Sequence, residues 1–411
     1  MQSSGDSRAG LVQNTALAFL KNPECRRQWR AFYNFAFTVS PLYLGNRDWL
    51  IAGRDDVIST MKDEGAELTA LYPATGSPAI NELFLGMLPF EQGADHRRLR
   101  SLTSSLFSPA AMSRLQEHVS ALLDELLYPS AFQPGGCDVL NTLGVRVPQL
   151  ISCLLLDVSP ADWNAVGSWA KQMYQQIGRY DQPEDEVREA EAAYGAFFEY
   201  VQRRKKGERS VTYGGIGDAL LAAWRNGSLD DRRLPSYFAL FLLTGWDTLT
   251  HAIGNSLWFL GNAPEVFAVL RQTPESAEAA FDEAMRLWGP IRLVVRHLQR
   301  AVQVSAGTIP EDSLVFLLVH AANRDPQRIE APDEMQLHRK RGEDLSFGLG
   351  AHGCLGTAVG KMVGRTLFRS LAARCRSLRA SPGPEDPSFI RSLPILGVES
   401  VHLFAEPAGN N

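Results

Sequence analysis

Cysteine is scarce in this chain. Its 411 residues hold five, Cys25, Cys137, Cys153, Cys354 and Cys375, with no CxxC pair and no regular spacing among them. That excludes a disulfide framework and a thiolate zinc site. Positive charge is not in excess either. The 41 Lys and Arg stand against 46 Asp and Glu, a formal net charge of -5, whereas a nucleic-acid binder usually carries a strong basic surplus. The opening stretch MQSSGDSRAGLVQNTALAFLKNP lacks an apolar run long enough for a signal peptide or an anchor. Reduced thiols, a cytoplasmic location, no membrane attachment and no nucleic-acid partner are therefore expected. Internal repeats, low-complexity tracts and Pro/Gly/Ser-rich linkers are also absent, which predicts one domain over residues 1–411.

What is present is apolar and largely helical. Hydrophobic residues make up 45% of the chain, ample for a large core. Trp49 to Ala52 reads as a short strand leading into a helix, and between about Ser101 and Ser276 apolar residues recur at three and four. Strand-like pieces return in VQVSAGTIPEDSLVFLLVH, where Gly307 and Ile309-Pro310 punctuate a hairpin. The expected class is mainly α with minor β.

The longest apolar segment, LPSYFALFLLTGWDTLTHAIGNSLWFLGN, approaches the length of a membrane span, but Asp247, Thr248, Thr250, His251 and Asn255 interrupt it. An Asp at the centre of a lipid-facing helix costs on the order of 3 kcal/mol, so this is expected to be the buried central helix of a large soluble protein. Its polar midpoint then faces something. Gly245 weakens the helix there, and a threonine hydroxyl can bond back to a carbonyl one turn earlier, which together permit a kink at which a small ligand or water could bind.

Near the C-terminal end stands FGLGAHGCLG, Phe347 to Gly356, followed by the amphipathic LGTAVGKMVGRTLFRSLAARC. Gly348, Gly350, Gly353 and Gly356 allow a tight path with positive φ and close approach to a flat surface. Cys354 falls at or just before a helix N-terminus, where free N–H groups and the helix dipole stabilise a thiolate. Such a thiolate serves as a redox sensor, a nucleophile or an axial haem ligand; an inert buried cysteine is the alternative.

The pattern Phe347-Gly348-x-Gly350-x-His352-x-Cys354-x-Gly356 resembles the haem-binding loop of the cytochrome P-450 family at every defining position. Other fragments follow in the family's order. Glu283-Ala-Met-Arg286 resembles its ExxR helix, Thr244 to Thr248 (TGWDT) its oxygen-activating turn, His96 to Arg100 (HRRLR) its propionate-binding HxxxR segment, and Ala322 to Pro326 a tract frequent in bacterial members. The resemblance runs from about Trp49 to the last residues.

The resemblance implies the P-450 fold, a long central helix over the haem with a small β-rich region, and haem b as cofactor with Cys354 as its axial thiolate and metal ligand. Phe347 would pack near the sulfur, with Gly348 and Gly356 shaping the loop and Gly245 the opposite face. His96, Arg100, Arg296 and His352 would neutralise the propionates. Glu283 and Arg286, joined by Arg324 or Arg339, would form a buried ion network, and Asp247 with Thr248 would be the acid and alcohol that deliver protons. Thr244, Trp246 and Leu249 depart from the usual turn and alter the shape of the pocket.

The implied function is a monooxygenase that inserts one oxygen atom from dioxygen into a hydrophobic small molecule, by hydroxylation or epoxidation in secondary metabolism. Oxidative coupling or another non-hydroxylating oxidation, on a free or carrier-protein-bound substrate, is the alternative, and a haem-thiolate sensor a third. No flavin or nicotinamide fingerprint accompanies the loop, so electrons are expected from a ferredoxin and its reductase. HRRLR with Lys361, Arg365 and Arg369 would supply their basic docking surface. The substrate pocket is expected from Tyr72 to Phe90, Leu242, Leu243, Leu293 to Val295 and Pro394 to Leu396, in a monomer.

Overall fold

The computed structural model describes residues 28–69, 77–104, 109–176, 183–207, 215–339, 344–383, 388–390 and 392–408. The opening stretch, read above for signals, lies outside them. Helices dominate, in keeping with the expected class.

Five helices position the site: α1 (Gly93–Ser104), α2 (Trp163–Tyr174), α3 (Arg233–Gly261), α4 (Ala277–Trp288) and α5 (Thr357–Arg374). The apolar segment is α3, a 29-residue helix whose flanks are buried on nearly every side. It runs unbroken through Gly245, so the expected kink does not interrupt it. The threonines still bond back as anticipated: Thr244 Oγ1 donates to the Leu240 carbonyl at 2.6 Å and Thr248 Oγ1 to the Thr244 carbonyl at 2.8 Å. What Gly245 leaves is room. A Cβ built there meets nothing within 4 Å, and Thr244 and Gly245 are exposed in an otherwise buried stretch.

The strand Trp49 to Ala52 is found as β2, one residue earlier. The main sheet comprises β1 (Leu42–Gly45), β2 (Asp48–Ile51), β3 (Ala66–Leu68), β4 (Val294–Leu298) and β5 (Leu314–Leu317), in the order β1-β2-β5-β4-β3. Only β2 and β5 pair in parallel. The expected hairpin joins Val302–Val304 to Gly307–Ile309 with Gly307 at φ 139° in the turn. A second sheet pairs His402–Pro407 with Cys375–Ser381, directly after α5.

The largest core cluster packs α4 and α5 against the C-terminal half of α3. Phe281 of α4 lies so close to Gly364 of α5 that a Cβ there would sit 2.2 Å from its ring. No helix among the described residues is long and apolar enough to cross a membrane.

Candidate haem-thiolate site

The cysteine loop is held by its own backbone and by α4. Cys354 N–H donates to the Phe347 carbonyl at 2.7 Å, closing the turn between them. Gly348 and Gly350 have φ of 67° and 71°, a region costly to any side chain. The sequence reading extended this need to Gly353 and Gly356, but their φ values are -54° and -80°. Glycine supplies space at those two positions: a Cβ on Gly356 would lie 3.6 Å from the Cys354 sulfur. The Phe347 ring rests on Gly360 of α5.

Cys354 itself is exposed, at the edge of α5, whose first residue is Thr357. The expectation that the turn alone keeps the thiol ionised needs correction. Surrounding protein pushes its pKa up, and the Gly356 amide, Thr357 and Arg100 offset that only in part. The loop presents a sulfur ready for a cation; a bound metal ion is what deprotonates a thiol outright.

Behind the loop lies the ion network. Arg286 meets Glu283 through two bonds, Nε to Oε1 at 2.7 Å and Nη2 to Oε2 at 2.9 Å. The third member is Arg339, whose Nε is 3.1 Å from Glu283 Oε2, while Arg324 turns to Asp333 and His320. Glu283 and Arg286 are 7% and 6% exposed, so an exposed surface pair is ruled out. Burial pushes the Glu283 carboxyl up, yet Arg286, the Gln336 amide and Arg339 hold it below its ordinary range.

Two residues that sequence reasoning passed over connect this network to the cysteine loop. Ser346 Oγ donates to the Met285 carbonyl at 2.8 Å, and Asn323 bonds both Ser346 Oγ and the Leu345 amide. Asn323 stands within the Ala322–Pro326 tract, the signal that could have found it.

In front of the loop, four basic side chains converge. The His96 and His352 rings lie 4.4 Å apart, and Arg100 Nη2 donates to the Gly353 carbonyl at 2.7 Å. Arg296, on β4, is 4% exposed with its Nε unpartnered. Burial alone lowers its pKa to about 10. His352 is pushed down to about 4, first by burial and then by His96, Arg296 and Arg100, and its Nδ1 also lacks a partner. Burial and the neighbouring Arg100 and Arg97 lower His96 as well. No acidic side chain pairs with Arg296 or His352 among the described residues. A buried cation without a counter-ion is costly. These donors fit a ligand bearing carboxylates, and with the open face at Gly245 and the sulfur of Cys354 they fit an iron porphyrin with two propionates.

The turn on α3 is arranged differently from an isolated acid and alcohol. Thr248 keeps its back-bond to Thr244, whereas Asp247 is engaged by Tyr174 and His251. Neither partner was anticipated. Thr250 faces elsewhere, donating to the carbonyls of Gly144 and Trp246.

The expected pocket needs revision. Residues 70–76, with Tyr72, lie outside the described residues. Leu242 and Leu243 are 1% and 0% exposed and belong to the core with Tyr237 and Phe238. On α3 the open positions are Thr244 and Gly245, two residues further on. The basic docking surface is smaller than expected too. Lys361 is paired with Asp282 at 3.0 Å and Arg365 is half-buried against Gln116, leaving Arg369 and Arg97 exposed.

A mainly helical fold, an exposed cysteine in a glycine loop beside a cluster of basic side chains, and a central helix open at Thr244 and Gly245 fit a haem-thiolate oxidoreductase. The cytochrome P-450 family model matches residues 184–387. The chain is 26% identical over 371 residues to the biotin biosynthesis cytochrome P-450 of Bacillus subtilis, covering 88% of this chain and 91% of that one. It is 26% identical over 381 residues to 6-deoxyerythronolide B hydroxylase of Saccharopolyspora erythraea, again with 88% and 91% covered. The crystal structure of CalO2 superimposes with a TM-score of 0.83 at 26% identity, over 94% of this chain and 98% of that chain. The chain belongs to the cytochrome P-450 superfamily and is an enzyme of its monooxygenase type.

Proposed function

We propose that this chain, as one domain spanning residues 1–411 and as a cytoplasmic monomer, inserts one oxygen atom from dioxygen into a hydrophobic small molecule of secondary metabolism. The observation that carries the reading is the convergence of His96, Arg100, Arg296 and His352 at the Cys354 loop, with no acidic side chain paired to Arg296 or His352 among the described residues. When bound, haem b supplies the reduction of dioxygen that the protein's own side chains cannot perform.

The side chains do the rest. Arg296 and Arg100 bind the two carboxylates, with His96 and His352 as further donors, because buried carboxylates need several hydrogen-bonding cations. Cys354, deprotonated, would hold the iron, and the Gly356 amide beside its sulfur would tune its basicity. Phe347 and the turn closed by Cys354 N–H hold that sulfur in place. The Glu283–Arg286–Arg339 network fixes the loop through Ser346 and Asn323. On α3, the Thr248 hydroxyl would hold a water beside the open turn, with Asp247 as the proton source behind it.

Relatives named for biotin biosynthesis and for 6-deoxyerythronolide B hydroxylation support a biosynthetic substrate. A solved neighbour, P450BioI, carries its fatty acid on an acyl carrier protein, and a carrier-tethered substrate is the form to test beside the free one. Electrons come from a ferredoxin and its reductase. The test is an optical titration of the purified ferric protein with candidate hydrophobic ligands, free and carrier-tethered. Saturable displacement of the absorption spectrum by one set supports the reading, and no response from any apolar ligand contradicts it.

A further inference from the structure

Both carboxylate oxygens of Asp247 are already met by other side chains. Tyr174, the last residue of α2, brings its hydroxyl to 2.7 Å from Oδ2. His251, one turn further along α3, brings Nε2 to 3.3 Å from Oδ1. Neither belongs to the motif that singled out Asp247. Tyr174 is half-buried, and burial, then the charge of Asp247, pushes its pKa well above the ordinary tyrosine value. The phenol therefore keeps its proton and donates it.

His251 is 6% exposed, and its Nδ1 lacks a partner. The ring is pressed against Gly397, where a Cβ would lie 2.2 Å from Nδ1. That packing leaves the ring little freedom to turn. Its other nitrogen, Nε2, faces the Asp247 carboxylate. Asp247 thus stands between two donors carried by separate parts of the chain, α2 and the far side of its own helix. Its side chain makes no hydrogen bond to Thr248 among the described residues.

We propose that Tyr174 and His251 are positioning residues for Asp247, holding its carboxylate in one orientation on the turn that carries Thr248. This rests on the oxygen chemistry assigned above and deepens it. The arrangement gives the acid a fixed resting geometry. Losing one donor frees the carboxylate to rotate, so proton delivery becomes disordered without any loss of the haem-binding groups.

The test uses the haem-loaded enzyme with a ligand found by optical titration. Tyr174→Phe and His251→Leu should each raise the hydrogen peroxide formed per reductant consumed by about tenfold, the scale of removing an outer partner from a functional group. His251→Gln, which keeps an N–H donor near the position of Nε2, should restore most of the coupling. A second readout is independent of turnover: histidine nitrogen NMR of the diamagnetic ferrous carbonyl form. The His251 Nε2 resonance should move in Asp247→Asn and in Tyr174→Phe, because both alter the acceptor it faces. If Thr248→Ala uncouples the enzyme while Tyr174→Phe and His251→Leu leave peroxide unchanged and Tyr174→Phe also leaves the His251 resonance unchanged, the positioning role is refuted and the proposed function stands. If Thr248→Ala itself leaves coupling intact, the oxygen chemistry at this turn fails and the positioning role falls with it.

Discussion

Thr248 and Thr250, on different sides of the central helix, should respond to the same substitution in opposite ways. They differ by two positions, about 200° around a helix. Thr248 Oγ1 bonds only to the Thr244 carbonyl of its own helix, a back-bond that adds little to helix stability. Alanine gains about 0.5 kcal/mol in helix propensity over threonine, so Thr248→Ala should leave stability within about 1 kcal/mol of the parent. Thr250 Oγ1 reaches across to the Gly144 carbonyl, in the π-helical turn Leu140–Gly144. Its methyl also packs there, 3.0 Å from where a Gly144 Cβ would lie. Losing that interhelical bond costs about 0.5–1.5 kcal/mol, and up to about 3 if the carbonyl is left without a partner. Catalysis should show the reverse order. Removing a positioned proton relay typically costs about 10²–10⁴-fold in the step it serves, so Thr248→Ala should divert reductant to hydrogen peroxide while Thr250→Ala should not. The assays are denaturant unfolding followed by haem absorbance, and product formed per reductant consumed. An enzyme uncoupled by Thr250→Ala and unaffected by Thr248→Ala would refute the assignment of the reactive face.

Three further outcomes follow from the site. Glu283→Gln leaves Arg286 buried without its anion and should cost about 3 kcal/mol in denaturant unfolding. Because the folded pKa of Glu283 lies below its unfolded value, its contribution is present above about pH 4.3 and is lost as pH falls through the folded value; the acid limb of the stability profile should therefore flatten in the variant. Arg296→Leu removes a buried cation that no protein acid balances, so it should raise the denaturation midpoint of the haem-free protein while weakening haem retention, measured by haem transfer to an acceptor protein; a lower midpoint in the haem-free form would count against the assignment. Arg97→Glu and Arg369→Glu should slow reduction by ferredoxin at low salt, with the difference fading as salt is added. Lys361→Glu should act on stability instead, because Lys361 is paired with Asp282.

The parts of this protein that could be read from sequence are those whose chemistry is fixed by neighbours along the chain. Phe347 to Gly356 closes on itself through one backbone bond, and the Glu283–Arg286 pair spans a single helical turn, so pattern and contact coincide. The class of fold followed from the 29-residue apolar helix and the two strand-rich regions. Contacts between distant segments were not legible. Arg324 and Arg339 are equally good arginines in sequence, and only the packing of Arg324 over Trp29 and Trp288 leaves Arg339 for Glu283. Tyr174 meets Asp247 across 73 positions, with nothing local to mark it. The lining of α3 was misjudged by two residues because a helix buried on nearly every side has no apolar stripe to set its rotation, and Leu242 and Leu243 look the same facing core or open space. Lys361 and Arg365 looked like solvated charge until Asp282 and Gln116 came to face them.

The central claim is that Cys354 is the axial thiolate of a bound haem, and the ferrous carbonyl spectrum tests it most directly. The parent protein, reconstituted with haem and reduced under carbon monoxide, should show the strongly red-shifted Soret band that thiolate ligation gives, and Cys354→Ser or Cys354→His should abolish that band while Arg100, Arg296 and the rest of the cradle still hold the haem. Persistence of the red-shifted band after Cys354 is replaced would contradict the account.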